Sequence, residues 1–272
     1  MSSILTNTSS MVALQTLKAT NSAMAKVQDE VSTGLKVSSA KDNSASWSIA
    51  ATMKSDVASY KTLGDSLTQA SATVGTARTA AEQITDLLTK VQTLVTQADG
   101  KDTDSIATLQ ADVDAYLASI VSIANQAQTN GISLTSASGA DVDVLVAINR
   151  DSSGALAKDS FTVSAVDLSA LGAAITLTSD SDDNNDAVDT LIDTAKAAAA
   201  AFGAAQNRIE AQGDFVSKQM DSLKAGVSAL VDADMEEASA RLSALQTQQQ
   251  LGIQALSIAN QAPQSVLSLF RN

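Results

Sequence analysis

The sequence predicts a mainly α fold, a long antiparallel coiled-coil helical rod formed by the N- and C-terminal regions, with a small β-hairpin in the middle segment. Three observations carry this. Of 272 residues, 44% are hydrophobic but only 3% aromatic, so Ala, Leu and Val must do the packing that large rings do in a globular interior. Apolar residues recur at threes, fours and sevens through both terminal thirds, the period of a helix with one buried stripe. A period of two is convincing only in DVDVLVAI (141–148) and SFTVSAV (160–166), which bracket a turn at Asp151, Ser152, Ser153 and Gly154.

The first helix begins near Ser9, and Met11, Leu14, Leu17, Met24, Val27 and Val31 form its stripe. Gly34 followed by Leu35 reads as its stop, a left-handed glycine with an apolar residue behind it. A polar turn through Lys41, Asp42 and Asn43 leads to a second helix, for which Asp42 or Ser44 is the expected cap. That helix carries Ile49, Met53, Val57, Ile84, Leu88 and Val91 and runs to about Ala98, before Asp99 and Gly100. A third is expected to start after Asp104 and end at Asn130 and Gly131. After the hairpin, SDSDDNND (179–186) reads as a solvated acidic loop; it lacks the glycine and terminal Glu of a calcium-binding hand. Helical pattern returns near Ala187, and Phe202, Ile209, Val216, Leu223 and Leu230 then sit seven apart. Asp232 and Asp234 offer a break and a new cap. The last helix carries Met235, Leu242, Leu245, Leu251, Ile253, Leu256 and Ile258, and Pro263 should end or bend it.

Charge is distributed unevenly. The net charge is -13, yet residues 1–60 balance at +1, 61–200 at -12 and 201–272 at -2, and neither residues 1–17 nor 242–270 contain a charge. Two uncharged, apolar-striped ends call for burial. They are too interrupted by Ser, Thr, Asn and Gln to be membrane spans, and the N-terminus lacks the basic region of a secretory signal. The acidic balance argues against nucleic-acid and anionic-membrane partners. With no Cys and no His, thiol and imidazole chemistry, the usual zinc sites and disulfides are excluded, so no metal and no cofactor is expected. Lys41 with Asp42, Glu236 with Glu237, and Asp182 with Asp183 are the nearest approach to acid–base pairs. On loops and helix starts such groups serve as solvated or capping residues, so the chain is not expected to be an enzyme.

The two ends resemble bacterial flagellin. VSTGLKVSSAKDNSASWSIA (31–50) is similar to that family's L-S-S-G-x-x-I-x-x-A-K-D-D-A-A pattern, with Asn43, Ser44, Ala45, Ser46 and Trp47 standing where a second Asp and small residues are usual. FGAAQNRI (202–209), SALVDADMEEAS (228–239) and QALSIANQAPQSVLSLFR (254–271) are similar to its C-terminal signatures, and TNGISL (129–134) to the close of its third helix. The resemblance covers residues 1–135 and 187–272, in order.

It implies a filament subunit for swimming motility, secreted to the extracellular flagellum, with a domain order that follows the elements. Residues 1–42 would be an N-terminal arm and spoke, 43–135 the N-terminal helices of an inner rod domain, 136–186 a short exposed hairpin and acidic loop, 187–231 the rod's C-terminal helix, and 232–272 a C-terminal arm. The polymerisation stripes would be Ile4, Leu5, Met11, Leu14, Leu17, Met24, Val27 and Val31 on one arm, and Leu242, Leu245, Leu251, Ile253, Leu256, Ile258, Val266, Leu267, Leu269 and Phe270 on the other. The spoke turns would comprise Gly34, Lys41, Asp42, Asn43, Asp232 and Asp234, and the rod-helix motif Gln206, Asn207 and Arg208. The implied partners are further copies of the chain (a helical homopolymer), hook-associated junction proteins, the filament cap protein, a flagellin export chaperone and the flagellar type III export apparatus. The terminal arms would be unfolded in the exported monomer. Alternatives are a hook-filament junction protein, or from a different class a secreted coiled-coil effector that does not polymerise. Finally, TKVQTLVTQ (89–97) stands where flagellins seen by the vertebrate innate receptor carry Q-R-V-R-E-L-A-V-Q. Lys90, Gln92 and Thr93 replace two Arg and a Glu, which implies weak recognition.

Overall fold

The structure, a computed structural model, describes residues 7–150, 156–173, 175–177 and 181–269, with side chains undescribed at 156, 181–184 and 262–269. Helix accounts for 76% of it, which sets the class as mainly α. The elements in order are α1 (Thr8–Thr33), α2 (Ser44–Gln97), α3 (Thr103–Gln126), β1 (Gln128–Thr129), β2 (Ile132–Ser133), β3 (Val142–Arg150), β4 (Leu156–Val163), a 3-10 turn (Ser169–Gly172), α4 (Ser181–Val231) and α5 (Met235–Leu269). They fall into two compact units, residues 57–221 and residues 1–56 with 222–272.

In the 57–221 unit, α2 and α4 run antiparallel, since Gly64 lies against Val216, Arg78 bonds Gln206 and Gln92 bonds Asp189. Leu63, Leu67, Val74, Ile84, Leu88, Val91 and Val95 of α2 are buried, as are Val188, Ile192, Phe202, Ile209 and Val216 of α4. The first three seam residues are thus core, whereas Leu223 and Leu230 are half-buried and belong to the other unit. The apolar stripe of α3 (Val113, Leu117, Ile120) completes this core. By length and composition α3 alone among the described helices could cross a membrane, but that stripe is packed inside. Along α2, Thr68, Thr76, Thr79, Thr85, Thr89 and Thr93 each donate the hydroxyl to the carbonyl four residues earlier, at 2.8–3.0 Å.

β3 and β4 pair antiparallel from Val142↔Val163 to Arg150↔Leu156, with a bulge between Leu145 and Ala147. The inward residues Val144, Val146 and Val163 are buried. The bulge leaves the Val146 carbonyl outside the ladder, and Gln212 of α4 donates to it at 2.6 Å. Tyr60 of α2 donates its hydroxyl to the Ile148 carbonyl at 3.1 Å. The expected turn at Asp151 to Gly154 lies outside the described residues.

Several boundaries differ from the sequence reading, each for a local reason. The cap of α2 is neither Asp42 nor Ser44 but Asn43, whose Oδ1 accepts from the Ser46 N–H at 3.1 Å. α3 starts earlier than expected, because Asp102 rather than Asp104 is its cap and accepts from the N–H and hydroxyl of Ser105. It also ends earlier, at Gln126. Asn130 (φ +53°) and Gly131 (φ +79°) form the two-residue turn of a second small hairpin, β1 with β2, a conformation that suits Asn-Gly. Residues 181–186 are not loop, since α4 begins at Ser181 and acidic groups are favourable in a helix's first turn. Pro263 does not end α5, which continues to Leu269.

Candidate assembly site

In the unit of residues 1–56 and 222–272, α1 and α5 pair antiparallel. Asn7 Nδ2 donates to the Ala259 carbonyl at 2.7 Å, Ser10 Oγ to Asn260 Oδ1 at 2.7 Å, and Gln249 Nε2 to Asn21 Oδ1 at 2.8 Å. Of the predicted α1 stripe, Val27 is buried, Leu17, Met24 and Val31 are half-buried, and Met11 and Leu14 are exposed. On α5, Leu242, Leu245 and Leu256 are half-buried, whereas Leu251, Ile253 and Ile258 are exposed. Met11 (65%), Val12 (62%) and Ile258 (69%) stand furthest out. A two-helix pair has only one seam, and these helices carry apolar residues on more faces than one seam can cover. Ile4, Leu5 and Phe270 lie outside the described residues, as do the side chains of Val266, Leu267 and Leu269.

The two turns expected to act as spokes, residues 34–43 and 231–234, are joined to each other. Gly34 (φ +69°) caps α1 in the left-handed conformation that glycine adopts without a Cβ clash, and its N–H bonds the Glu30 carbonyl at 2.9 Å. The turned chain then lies along the α4–α5 link. Leu35 bridges Asp232, Lys36 and Val37 donate to the Val231 carbonyl at 2.7 and 3.3 Å, and Ala233 donates to the Gly34 carbonyl at 2.9 Å. Val37, Ala50 and Val231 form a small core beneath, flanked by Leu35, Val227 and Leu230. Asp234 caps α5, accepting from Glu236 and Glu237 N–H. Asp42 closes the first turn on itself. The hydroxyl and backbone N–H of Ser39, with the Ser38 hydroxyl, donate to its carboxylate and hold its pKa below the ordinary value. Lys41 is exposed.

Within the 57–221 unit, Gln206 links α4 to α2: it accepts from Arg78 Nε at 2.9 Å and donates to Glu210 at 3.0 Å, while Arg78 pairs with Glu82 at 2.5 Å. Arg208 places its guanidinium 4.1 Å from the centre of the Phe161 ring on β4. Asn207 is exposed. In the stretch 89–97 Lys90 and Thr93 are exposed, and Gln92 is half-buried and donates to the Asp189 carboxylate.

The comparisons with known proteins agree at both ends. Residues 4–140 match the bacterial flagellin N-terminal helical region and residues 185–270 the bacterial flagellin C-terminal helical region. This chain belongs to the bacterial flagellin family. It is 41% identical to a flagellin of Brucella melitensis over 100% of both chains, and 40% identical to flagellin FljK of Caulobacter vibrioides over 100% of this chain and 99% of that one. Flagellin C of Rhizobium meliloti is 34% identical over 100% of both. A crystal structure of Bacillus cereus flagellin is similar over 54% of this chain and 86% of that one, at 24% identity and a TM-score of 0.47. As a flagellin the chain is a structural subunit of the flagellar filament.

Four residues that position these features escaped the sequence reading: Asn7, Tyr60, Arg78 and Gln212. Tyr60 is one of only two tyrosines, a rarity that could have drawn attention to it. Asn7 directly precedes α1 at cap spacing from Ser10, a readable signal. Nothing in the pattern marks Arg78 or Gln212, since their partners lie 128 and 66 residues away.

Proposed function

We propose that this flagellin polymerises through its two terminal arms, α1 and α5, with the joined turns at residues 34–43 and 231–234 as the support that carries them. The exposed apolar residues on the charge-free stretches of these helices, up to residue 17 in α1 and from residue 242 in α5, are the observation behind this reading, because such surface in one chain is stable only when further chains cover it. The domain order is arm and spoke (1–42), inner rod helices (43–135), hairpin segment (136–186, its last six residues already part of α4), inner rod helix (187–231) and arm (232–272). Junction proteins, the cap protein, an export chaperone and the type III export apparatus are its further partners, and the subunit is secreted before it assembles. It carries out no catalysis. Negative-stain microscopy of the purified chain after salting out tests the reading; regular filaments are expected, and protein that stays monomeric overturns it.

The stretch with Lys90, Gln92 and Thr93 makes this chain a weak agonist of the vertebrate flagellin receptor. Engagement of Gln92 by Asp189 supports this, since that side chain is held within the subunit. Full activation by the monomer in a receptor reporter assay would refute it.

A further inference from the structure

α5 passes through a proline without ending. Proline has no N–H, so in a helix the carbonyl four residues before it loses its partner. For Pro263 that carbonyl belongs to Ala259, and it accepts from Asn7 Nδ2 at 2.7 Å. Asn7 uses both ends of its carboxamide: Oδ1 caps α1 by accepting from the Ser10 N–H at 3.1 Å, and Nδ2 fills the gap on the opposite helix. One turn of α1 is thereby fixed against one carbonyl of α5. Any sliding of the two helices would strand a cap, a carbonyl or both in a part-buried setting, a cost that apolar contacts at threes and fours do not impose. Ser10 bonding Asn260 keeps the same register, and Gln249 bonding Asn21 repeats it further along.

We propose that Asn7 is the positioning residue that sets the register of the two arms, by supplying the hydrogen bond that Pro263 removes from Ala259. The proposal rests on the reading of α1 and α5 as assembly arms, because register decides which apolar residues face neighbouring subunits together. Polar side chains at otherwise apolar pairings are a known way to fix helix register.

A double-mutant cycle on the full chain separates this role from capping. Asn7→Ala removes both the cap and the donor, whereas in the Pro263→Ala background residue 263 has its own N–H for Ala259, so Asn7→Ala removes the cap alone. Amide exchange across residues 254–262, measured on assembled filaments, should rise about fivefold more for Asn7→Ala with Pro263 in place than in the Pro263→Ala background, the ratio for one lost hydrogen bond. Equal increases in the two backgrounds overturn the proposal. If the unmutated chain forms no filaments, the polymer reading fails on its own, and the cycle is then measured on the monomer, where the same inequality is required.

Discussion

The two units of this flagellin have similar hydrophobic periodicity and opposite outcomes. In residues 57–221, the stripes of α2, α3 and α4 and the inner face of the β3–β4 hairpin meet one another, and Phe202, Ile84, Leu88 and Ile120 are sealed. In residues 1–56 and 222–272, the buried apolar residues among those described are only Val27, Val37, Ala50, Val231 and Ala238. The difference lies in the number of partners. Three helices and a hairpin can close a core; a helix pair has one seam and leaves Met11, Ile253 and Ile258 in water. Periodicity therefore identifies a stripe, but whether the stripe is core or interface depends on what the same chain offers to cover it.

The largest effect that would break this contrast is deletion. Removing residues 242–272 should abolish filaments and leave the thermal unfolding of the 57–221 unit unchanged; regular filaments from the truncated protein would place the interface elsewhere. Next, Phe202→Ala should lower monomer stability by about 3–5 kcal/mol in denaturant unfolding, with Leu223→Ala, which is half-buried, costing less than about 2. A larger loss at Leu223 would mean that the seam is uniform. Ile258→Ala should change monomer stability by less than about 0.5 kcal/mol while lowering the yield of sedimentable filament, and an unchanged yield would remove Ile258 from the interface. A finer test concerns the turn into α2: Asn43→Ala should cost about 1 kcal/mol of local stability, read by amide exchange at Ser46, whereas Ser44→Ala should cost almost nothing.

The smallest effect is a pH dependence. Asp42 is titrated from an ordinary value of 3.8, and its native pKa is lowered by the Ser39 and Ser38 donors. The contribution to the turn is thus fully present above about pH 4 and is lost as pH falls through the lowered native value. Carboxyl chemical shifts between pH 5 and 2 should give a midpoint below 3.8, and a midpoint above it would contradict the hydrogen-bond pattern.

Most of the architecture was legible because it rests on local signals. Gly34 behind an apolar stripe, Asp234 ahead of one and the alternation at 141–148 each state their own structure. The errors came where one local signal overrode another. Asn130-Gly131 reads both as a helix stop and as a hairpin turn, and the two-residue strands beside it are too short for alternation to show. Acidic residues at 182, 183 and 186 read as solvated loop, although the same charges suit a helix start. Pro263 reads as a break because its remedy, Asn7, lies at the other end of the chain. For the candidate assembly site, the stripes were legible as apolar, but the joining of residues 34–37 to 231–233 through backbone bonds was not, since backbone groups leave no mark on a sequence.

The threonines of α2 bear on what it costs to cover this helix with another subunit. A hydroxyl pointing into solvent must give up its water when a neighbour arrives, and unless the neighbour replaces that bond the desolvation weakens association. Thr68, Thr79, Thr89 and Thr93 are exposed yet already donate to their own helix. Such a face can be dehydrated without stranding a hydroxyl proton, and it asks no matching acceptor of whatever lies against it.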